Sequence, residues 1–201
     1  DAILLMRKYN PTGEIAANKK IVTEAKNFID LAAANAETAE DLKMHLYRAE
    51  IYYALNETAT LEAASNGIPL DEASLAANKE VAVASFKKVL EDPKKAWVGD
   101  ALSFINLRVD FIFNQGIIAY NAKKYEAAAD AFLAATEMKT YIGESFKDAE
   151  VNTSLAANYA VEDYLAAKKY DEAIAFASKI ADAMPQNIDI LISLVNINLQ
   201  K

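Results

Sequence analysis

The sequence predicts an all-α fold in which antiparallel helices pair one after another along the chain. Only five glycines and four prolines occur among the 201 residues, a composition that favours helix almost throughout. Apolar residues recur with a period near 3.6, as Val22, Ala25 and Ile29 do in the first long segment. A helix–turn–helix segment also occurs twice. These observations together predict about seven or eight helices.

The repeated segment is clearest in residues 112–135. Its turn, Ala122-Lys123-Lys124-Tyr125, is matched by Ala167-Lys168-Lys169-Tyr170. Small and apolar residues follow both turns at corresponding positions: Ala128, Phe132 and Ala135 in one copy, and Ala173, Ala177 and Ile180 in the other. Neither turn supplies a good helix N-cap, because Lys124 and Lys169 stand where Asp or Asn is preferred.

The spacing of these residues resembles that of a known family. With Val109 as position 1, the residues at positions 4, 8, 20, 24 and 27 are Ile112, Gly116, Ala128, Phe132 and Ala135. The tetratricopeptide repeat, a helix–turn–helix unit of 34 residues, has small and aromatic residues at these offsets. The chain therefore resembles that family, and in particular its bacterial exported members. The resemblance implies a right-handed array of helix pairs that acts as a binding scaffold.

The same spacing predicts the organisation of the chain as one domain over residues 1–201. Its parts are a degenerate repeat at about 10–37, a split repeat at 38–93, repeats at 109–142 and 154–187, and a terminal helix at 188–201. The insertions at 56–70 and 94–100 should interrupt the array, since Asn66-Gly67 and Pro69 indicate a loop. Helix starts are expected at Asn10-Pro11, Thr38–Asp41, Asp71, Asp100, Ser145–Asp148 and Asn187.

Composition excludes several classes of function. The formal charge of −8 argues against binding to nucleic acid or to an anionic membrane surface. No apolar run is long enough to span a bilayer, so we expect no membrane insertion. The chain has no cysteine, and its single histidine, His45, has no partner residues at metal-ligand spacing. We therefore expect no metal site, no cofactor and no catalytic residues, and interpret the chain as a non-enzyme.

The resemblance names the residues of a concave binding groove, contributed by the first helix of each repeat. They are Lys43, Leu46, Glu50 and Tyr53 in the second repeat, Asp110, Phe113, Ile117, Tyr120 and Asn121 in the third, and Leu155, Asn158, Glu162 and Leu165 in the fourth. Alternatively, Phe113, Ile117 and Leu155 belong to the core, as such apolar stripes usually do. Tyr53, Tyr120, Asn158 and Glu162 are better suited to an exposed groove.

The function implied is a protein–protein interaction scaffold that holds an extended peptide or a partner helix. The alternative is a helical scaffold for a glycan or small ligand, in which the insertions at 56–70 and 94–100 supply a site and Trp97 and the ten tyrosines suit stacking on the ligand. The Asp1 start and the resemblance to exported repeat proteins suggest a periplasmic or surface-associated protein. A cytoplasmic protein that was trimmed at its start would look the same.

Two further expectations concern packing. Gly116 should lie at a helix crossing, so Gly116→Leu should overpack it, whereas Gly116→Ala could stabilise the helix. The terminal helix is apolar around most of its circumference, with polar side chains only at Asp189, Ser193, Asn196 and Asn198 between residues 188 and 199. We therefore predict that its outer face is open within this chain and is covered by a second copy, another partner or further native residues.

Overall fold

The computed structural model describes residues 1–200, and this part of the chain forms nine α-helices. They are α1 (Ala2–Met6), α2 (Ile15–Ala34), α3 (Leu42–Asn66), α4 (Glu72–Leu90), α5 (Val98–Asn121), α6 (Tyr125–Thr140), α7 (Lys147–Ala166), α8 (Tyr170–Ala183) and α9 (Ile188–Gln200). No strand occurs among the described residues. Helices adjacent in sequence pack against each other, which confirms the predicted all-α class built from successive helix pairs.

The packing divides the chain into two compact units, Asp1–Phe104 and Ile105–Lys201, with α5 spanning the boundary. The repeat spacing did not indicate this division. In the first unit, α3 packs against both α2 and α4. The positions that the repeat spacing marks as core are filled as expected in α4, where Ala82, Phe86 and Val89 are fully buried.

The insertion predicted at residues 56–70 is mainly helical. Helix α3 continues without interruption to Asn66 and ends at Gly67, which adopts a left-handed conformation with φ 63°. The chain then passes through a short loop to Asp71. Asn66-Gly67 and Pro69 therefore mark the end of a long helix, because alanine and other good helix formers fill the preceding residues.

The second unit has a core of small residues around a few large ones. Phe132 of α6 is buried together with Ala157 and Ala160 of α7 and Ala177 and Ile180 of α8. A Cβ atom added to Gly116 of α5 would lie only 2.6 Å from Cε1 of the Phe132 ring. The predicted helix crossing at Gly116 is therefore confirmed, and the absence of a side chain there is what allows the ring to fit.

The two repeated turns have the same backbone structure. Lys123 and Lys168 have φ values of 57° and 58°, in the left-handed region. The next residue in each turn, Lys124 or Lys169, donates its N–H to the carbonyl of Ala119 or Tyr164 at 2.9 Å. This is the Schellman arrangement that ends many helices, with lysine in the position that glycine usually occupies. Equal sequences thus produce equal turns.

Helix starts were predicted less well than helix pairs. The Asp71 side chain caps α4 through Ser74 N–H at 3.1 Å, and Asn187 caps α9 through Ile190 N–H at 3.2 Å, both as expected. Two further starts fall within their predicted motifs, since Asp41 caps α3 and α7 begins at Lys147, although without a side-chain cap. The remaining two are displaced: α2 begins at Ile15 rather than beside Pro11, and α5 begins at Val98, before Asp100. Ser, Thr, Asp and Asn also stabilise turns outside helices, as Asn10 does by accepting from Thr12 N–H at 3.2 Å.

Gly116→Ala should destabilise the protein, contrary to the expectation from helix propensity alone. The added methyl group would collide with Phe132, a buried ring that is held in turn by Phe113 with ring centroids 5.1 Å apart. We expect a loss of about 1–3 kcal/mol in the free energy of unfolding, measured by chemical denaturation. Gly99→Ala in the same helix is the matched control, since no atom lies within 4 Å of a Cβ built there. Equal stability of the two variants would contradict the close crossing.

Lys123→Gly should stabilise the protein by about 1 kcal/mol, because glycine adopts the left-handed conformation without the cost that a Cβ atom imposes. The adjacent variant Ala122→Gly is the control. Ala122 has no positive φ, so glycine there relieves no left-handed strain and should not stabilise the protein. Thermal and chemical denaturation would measure both effects. A destabilised Lys123→Gly variant would show that the side chain of Lys123 stabilises the protein by more than its left-handed backbone conformation destabilises it.

Candidate interaction surface

The predicted groove residues of the first unit lie along α3, and two of them are not open to solvent. Leu46 is buried, and Tyr53 is only 7% exposed, with its ring packed edge-on against Phe104 at 5.6 Å between centroids. These two residues are therefore core residues of the unit, which corrects the expectation that Tyr53 is exposed. Lys43 is exposed and places its ammonium group 5.3 Å from the centroid of the Trp97 ring, while Glu50 is half-buried.

On α5, the predicted groove residues separate into packed and exposed ones. Phe113 is half-buried between Phe132 and Phe146, with centroid separations of 5.1 and 5.0 Å. This matches the alternative interpretation of Phe113 as a core residue. Asp110, Ile117 and Asn121 are exposed, and Tyr120 is half-buried.

On α7, Leu155 and Glu162 are exposed, whereas Asn158 and Leu165 are half-buried. Leu165 packs against the core of the second unit. Asn158 accepts a hydrogen bond from the hydroxyl of Ser193 in α9, with 2.8 Å between Oδ1 and Oγ. The amide of Asn158 therefore holds two helices together, and only part of the predicted set on α7 remains available to a ligand.

Three tyrosines form a cluster at one end of the second unit. Tyr125 and Tyr159 stack with their centroids 5.0 Å apart, and Tyr120 contacts each of them edge-on at 5.4 and 6.0 Å. Only Tyr120 was predicted as a site residue. Tyr125 was visible in the sequence as a repeated turn residue, but no sequence signal placed Tyr159 beside it.

Helix α9 exposes a continuous apolar face, and none of the predicted groove residues lies on it. Ile190 and Ile197 are fully buried against the rest of the unit. The opposite side carries five exposed apolar side chains: Ile188, Leu191, Ile192, Val195 and Leu199. The prediction that this helix has an open face is thus confirmed for the described residues.

Helices α7 and α9 run in the same direction and enclose a groove where both begin. The side-chain amide of Asn187 donates to Oγ of Ser154, and Ser193 donates to Asn158 farther along, so residue numbers increase together on the two helices. The groove has a volume of about 660 Å³. Its wall is mainly apolar, with Val151, Met184, Pro185 and Ile188 among the lining residues, and two carboxylates, Glu150 and Asp189, also line it.

A second cleft, of about 560 Å³, lies between the start of α6 and the end of α7. Charges of both signs line it, Lys124 and Lys169 together with Glu126, Asp130 and Asp163. The Tyr164 hydroxyl donates to Oε2 of Glu126 at 2.5 Å, and this hydrogen bond to a carboxylate raises the pKa of Tyr164 to about 12. Because lysines and carboxylates both line the cleft, it has no dominant charge.

The remaining candidate chemistry is limited. Nε2 of His45 lies 2.9 Å from the carbonyl oxygen of Ala39, and burial lowers the pKa of the imidazole, with Lys88 acting in the same direction. His45 is thus a buried residue of the first unit that bonds to backbone. Within residues 1–200 no group of three or more His, Asp or Glu side chains is arranged to hold a metal ion. No helix in that range is long and apolar enough to cross a bilayer.

Comparison with protein-family models, with curated proteins and with solved structures found no match to this chain. The resemblance to tetratricopeptide repeats is therefore a hypothesis that rests on the residue spacing and on the paired helices.

Replacing Glu126 by Gln should lower the pKa of Tyr164 from about 12 towards its ordinary value, because the neutral amide no longer favours the protonated phenol. The sign for stability follows from the raised pKa in the folded protein. The hydrogen bond contributes fully below about pH 10, the ordinary value for Tyr, and its contribution is lost as the pH rises through about 12.

NMR titration of ¹³C-labelled tyrosine would follow this phenol, with Tyr164→Phe to assign its signal. Glu37→Gln, an exposed substitution in the other unit, is the control and should leave the pKa of Tyr164 unchanged. An unchanged titration in Glu126→Gln would show that another group sets this pKa.

Proposed function

We propose that this chain is a non-catalytic scaffold that binds a partner protein through the second unit, and that the partner presents a helix or an extended apolar segment. The observation that carries the proposal is the exposed face of α9. Monomeric proteins rarely expose contiguous apolar patches of more than a few hundred Å², and larger patches usually mark interaction sites. Five apolar side chains on one side of a 13-residue helix form a patch of this kind.

Neighbouring residues support the same proposal. Val151 and Leu155 on α7 are exposed, and Val151 lines the groove together with Ile188 of α9. The apolar surface therefore extends from α9 onto the groove wall. Burial of each such side chain by a partner would contribute at most about 1.5–3 kcal/mol, part of which offsets the entropy lost on association.

The alternative, a scaffold for a glycan or small ligand, has less support. Residues 56–70 contain no aromatic side chain, and Trp97, the aromatic residue of the second insertion, is half-buried beside Lys43. The tyrosines that do cluster lie on α5, at the start of α6 and on α7. The aromatic residues are thus not gathered on the insertions, as that function would need.

The double variant Ile192→Ser with Val195→Ser should lose partner binding while the fold persists, since both side chains are exposed. Affinity capture from the source cells, quantified by mass spectrometry, should recover specific partners with the wild-type chain and at least about ten-fold less of them with the variant. Sedimentation analysis of the same samples would show whether the partner is a second copy.

The matched control replaces two exposed apolar residues of the first unit, Leu31→Ser with Ile68→Ser. This control should recover the same partners as the wild type. If all three baits recover the same proteins in equal amounts, the α9 face is not the binding surface.

A further inference from the structure

The exposed face of α9 corresponds to a face that is covered elsewhere in the same unit. Counting 34 residues back from Leu191 and Val195 leads to Ala157 and Val161 on α7. Ala157 and Val161 are 0% and 4% exposed, whereas Leu191 and Val195 are 42% and 59% exposed. Ala157 and Val161 belong to the core that α7 forms with α6 and α8, whereas no described helix packs on the outer face of α9.

The helices that cover the corresponding faces share orientation and side-chain chemistry. Helix α6 follows α5, and α8 follows α7, each after a tight turn that makes the pair antiparallel. Both present small or apolar residues at equal intervals: Ala128, Phe132 and Ala135 in α6, and Ala173, Ala177 and Ile180 in α8. A helix with such a stripe therefore fits the geometry that the chain already uses twice.

Charge at one end of the face restricts the occupant further. Glu150 and Asp189 both line the groove where α7 and α9 begin, and no Lys or Arg side chain is among its lining residues. Each acid lies in the first turn of its helix, where it favours the helix dipole. A helix lying antiparallel to α9 would place its C-terminal turn at this end, and basic residues are favoured in a C-terminal turn for the same electrostatic reason.

We infer that the α9 face binds one amphipathic α-helix of another protein, antiparallel to α9, with Lys or Arg in its last turn opposite Glu150 and Asp189. The inference rests on the proposed function and specifies its partner. A second copy of this chain fits less well when it offers its own α9, because the segment from Ile188 to Lys201 contains one basic residue, Lys201, for the two carboxylates Glu150 and Asp189. It also lacks the small residues that α6 and α8 place at their crossings.

Two synthetic peptides of identical composition test the inference. Both have the sequence of residues 125–140, with capped ends and a fluorescent label. The first carries Glu137→Lys, which adds to Lys139 a second base in the last turn. The second carries Glu126→Lys, Ala127→Lys, Glu137→Ala and Lys139→Glu, which moves both bases to the first turn. Their affinities for the full chain are measured by fluorescence anisotropy.

The expected result is tighter binding of the first peptide, by about three-fold to ten-fold, as two exposed ion pairs would provide. The first peptide is also the better helix former in solution, so the test must separate this effect from the effect of the two carboxylates. In the double variant Glu150→Gln with Asp189→Asn, the ratio of the two affinities should therefore fall to the small value that helicity alone produces. The variant Glu37→Gln with Glu80→Gln, two exposed acids of the first unit, is the control and should keep the full preference.

A third variant tests the apolar face itself. Leu191→Ser with Val195→Ser should weaken binding of both peptides at least about ten-fold. The inference is overturned if neither peptide binds, if binding is unaffected by Leu191→Ser with Val195→Ser, or if the preference persists in Glu150→Gln with Asp189→Asn. Sedimentation showing that a second copy occupies the face would also overturn it. Partner capture that depends on Ile192 and Val195 would then still uphold the proposed function, so the two can fail separately.

Discussion

The close crossing of paired helices is the constraint on which the rest of this structure depends. Helices approach within contact distance only where side chains at the crossing are small or absent, and here Gly116 leaves the space that the Phe132 ring occupies. Ala128, Ala157, Ala160, Ala173 and Ala177 serve the same purpose in the core of the second unit. Because protein interiors are closely packed, one added methyl group at such a point must displace a neighbour.

The tight turns are the second requirement, and they explain why the pairs repeat. A turn that ends one helix with a left-handed residue and starts the next helix two residues later fixes the pair as antiparallel neighbours. Lys123 and Lys168 adopt this conformation although glycine would do so at lower cost. The chain therefore tolerates local strain in both turns, and the packing of the alanine-rich faces offsets it.

Much of the fold follows from the sequence because helix periodicity and small-residue spacing are local signals. The helix class, the crossing at Gly116 and the equivalence of the two Lys-Lys-Tyr turns could all be predicted. Helix starts such as that of α5 could not, since Asp100 is equally suited to an N-cap and to the first turn of a helix. The continuation of α3 to Asn66 does not follow from the sequence, because Gly67 and Pro69 are equally typical of a helix end and of a longer loop.

The candidate site was predictable only in part, because exposure depends on which elements cover a face. Tyr53 and Ile117 are both predicted as groove residues from the same spacing, yet Tyr53 is buried and Ile117 is exposed. No periodicity records that Phe104 packs on the ring of Tyr53. The open face of α9 was easier to anticipate, because apolar side chains occupy most of the helix circumference. Among the described residues of this helix, only Ile190 and Ile197 are fully buried.

The exposure of one apolar face of α9 connects the fold to the proposed function. A helix array adds one pair at a time, and each pair buries the face that the previous pair left open. On α9 the face that carries Leu191, Ile192 and Val195 has no such cover among the described residues. Leu191 and Val195 thus offer a partner the same kind of apolar contact that Ala157 and Val161 make within the chain. Under the proposed function, the partner would therefore bind through the same kind of contact that pairs helices within this unit.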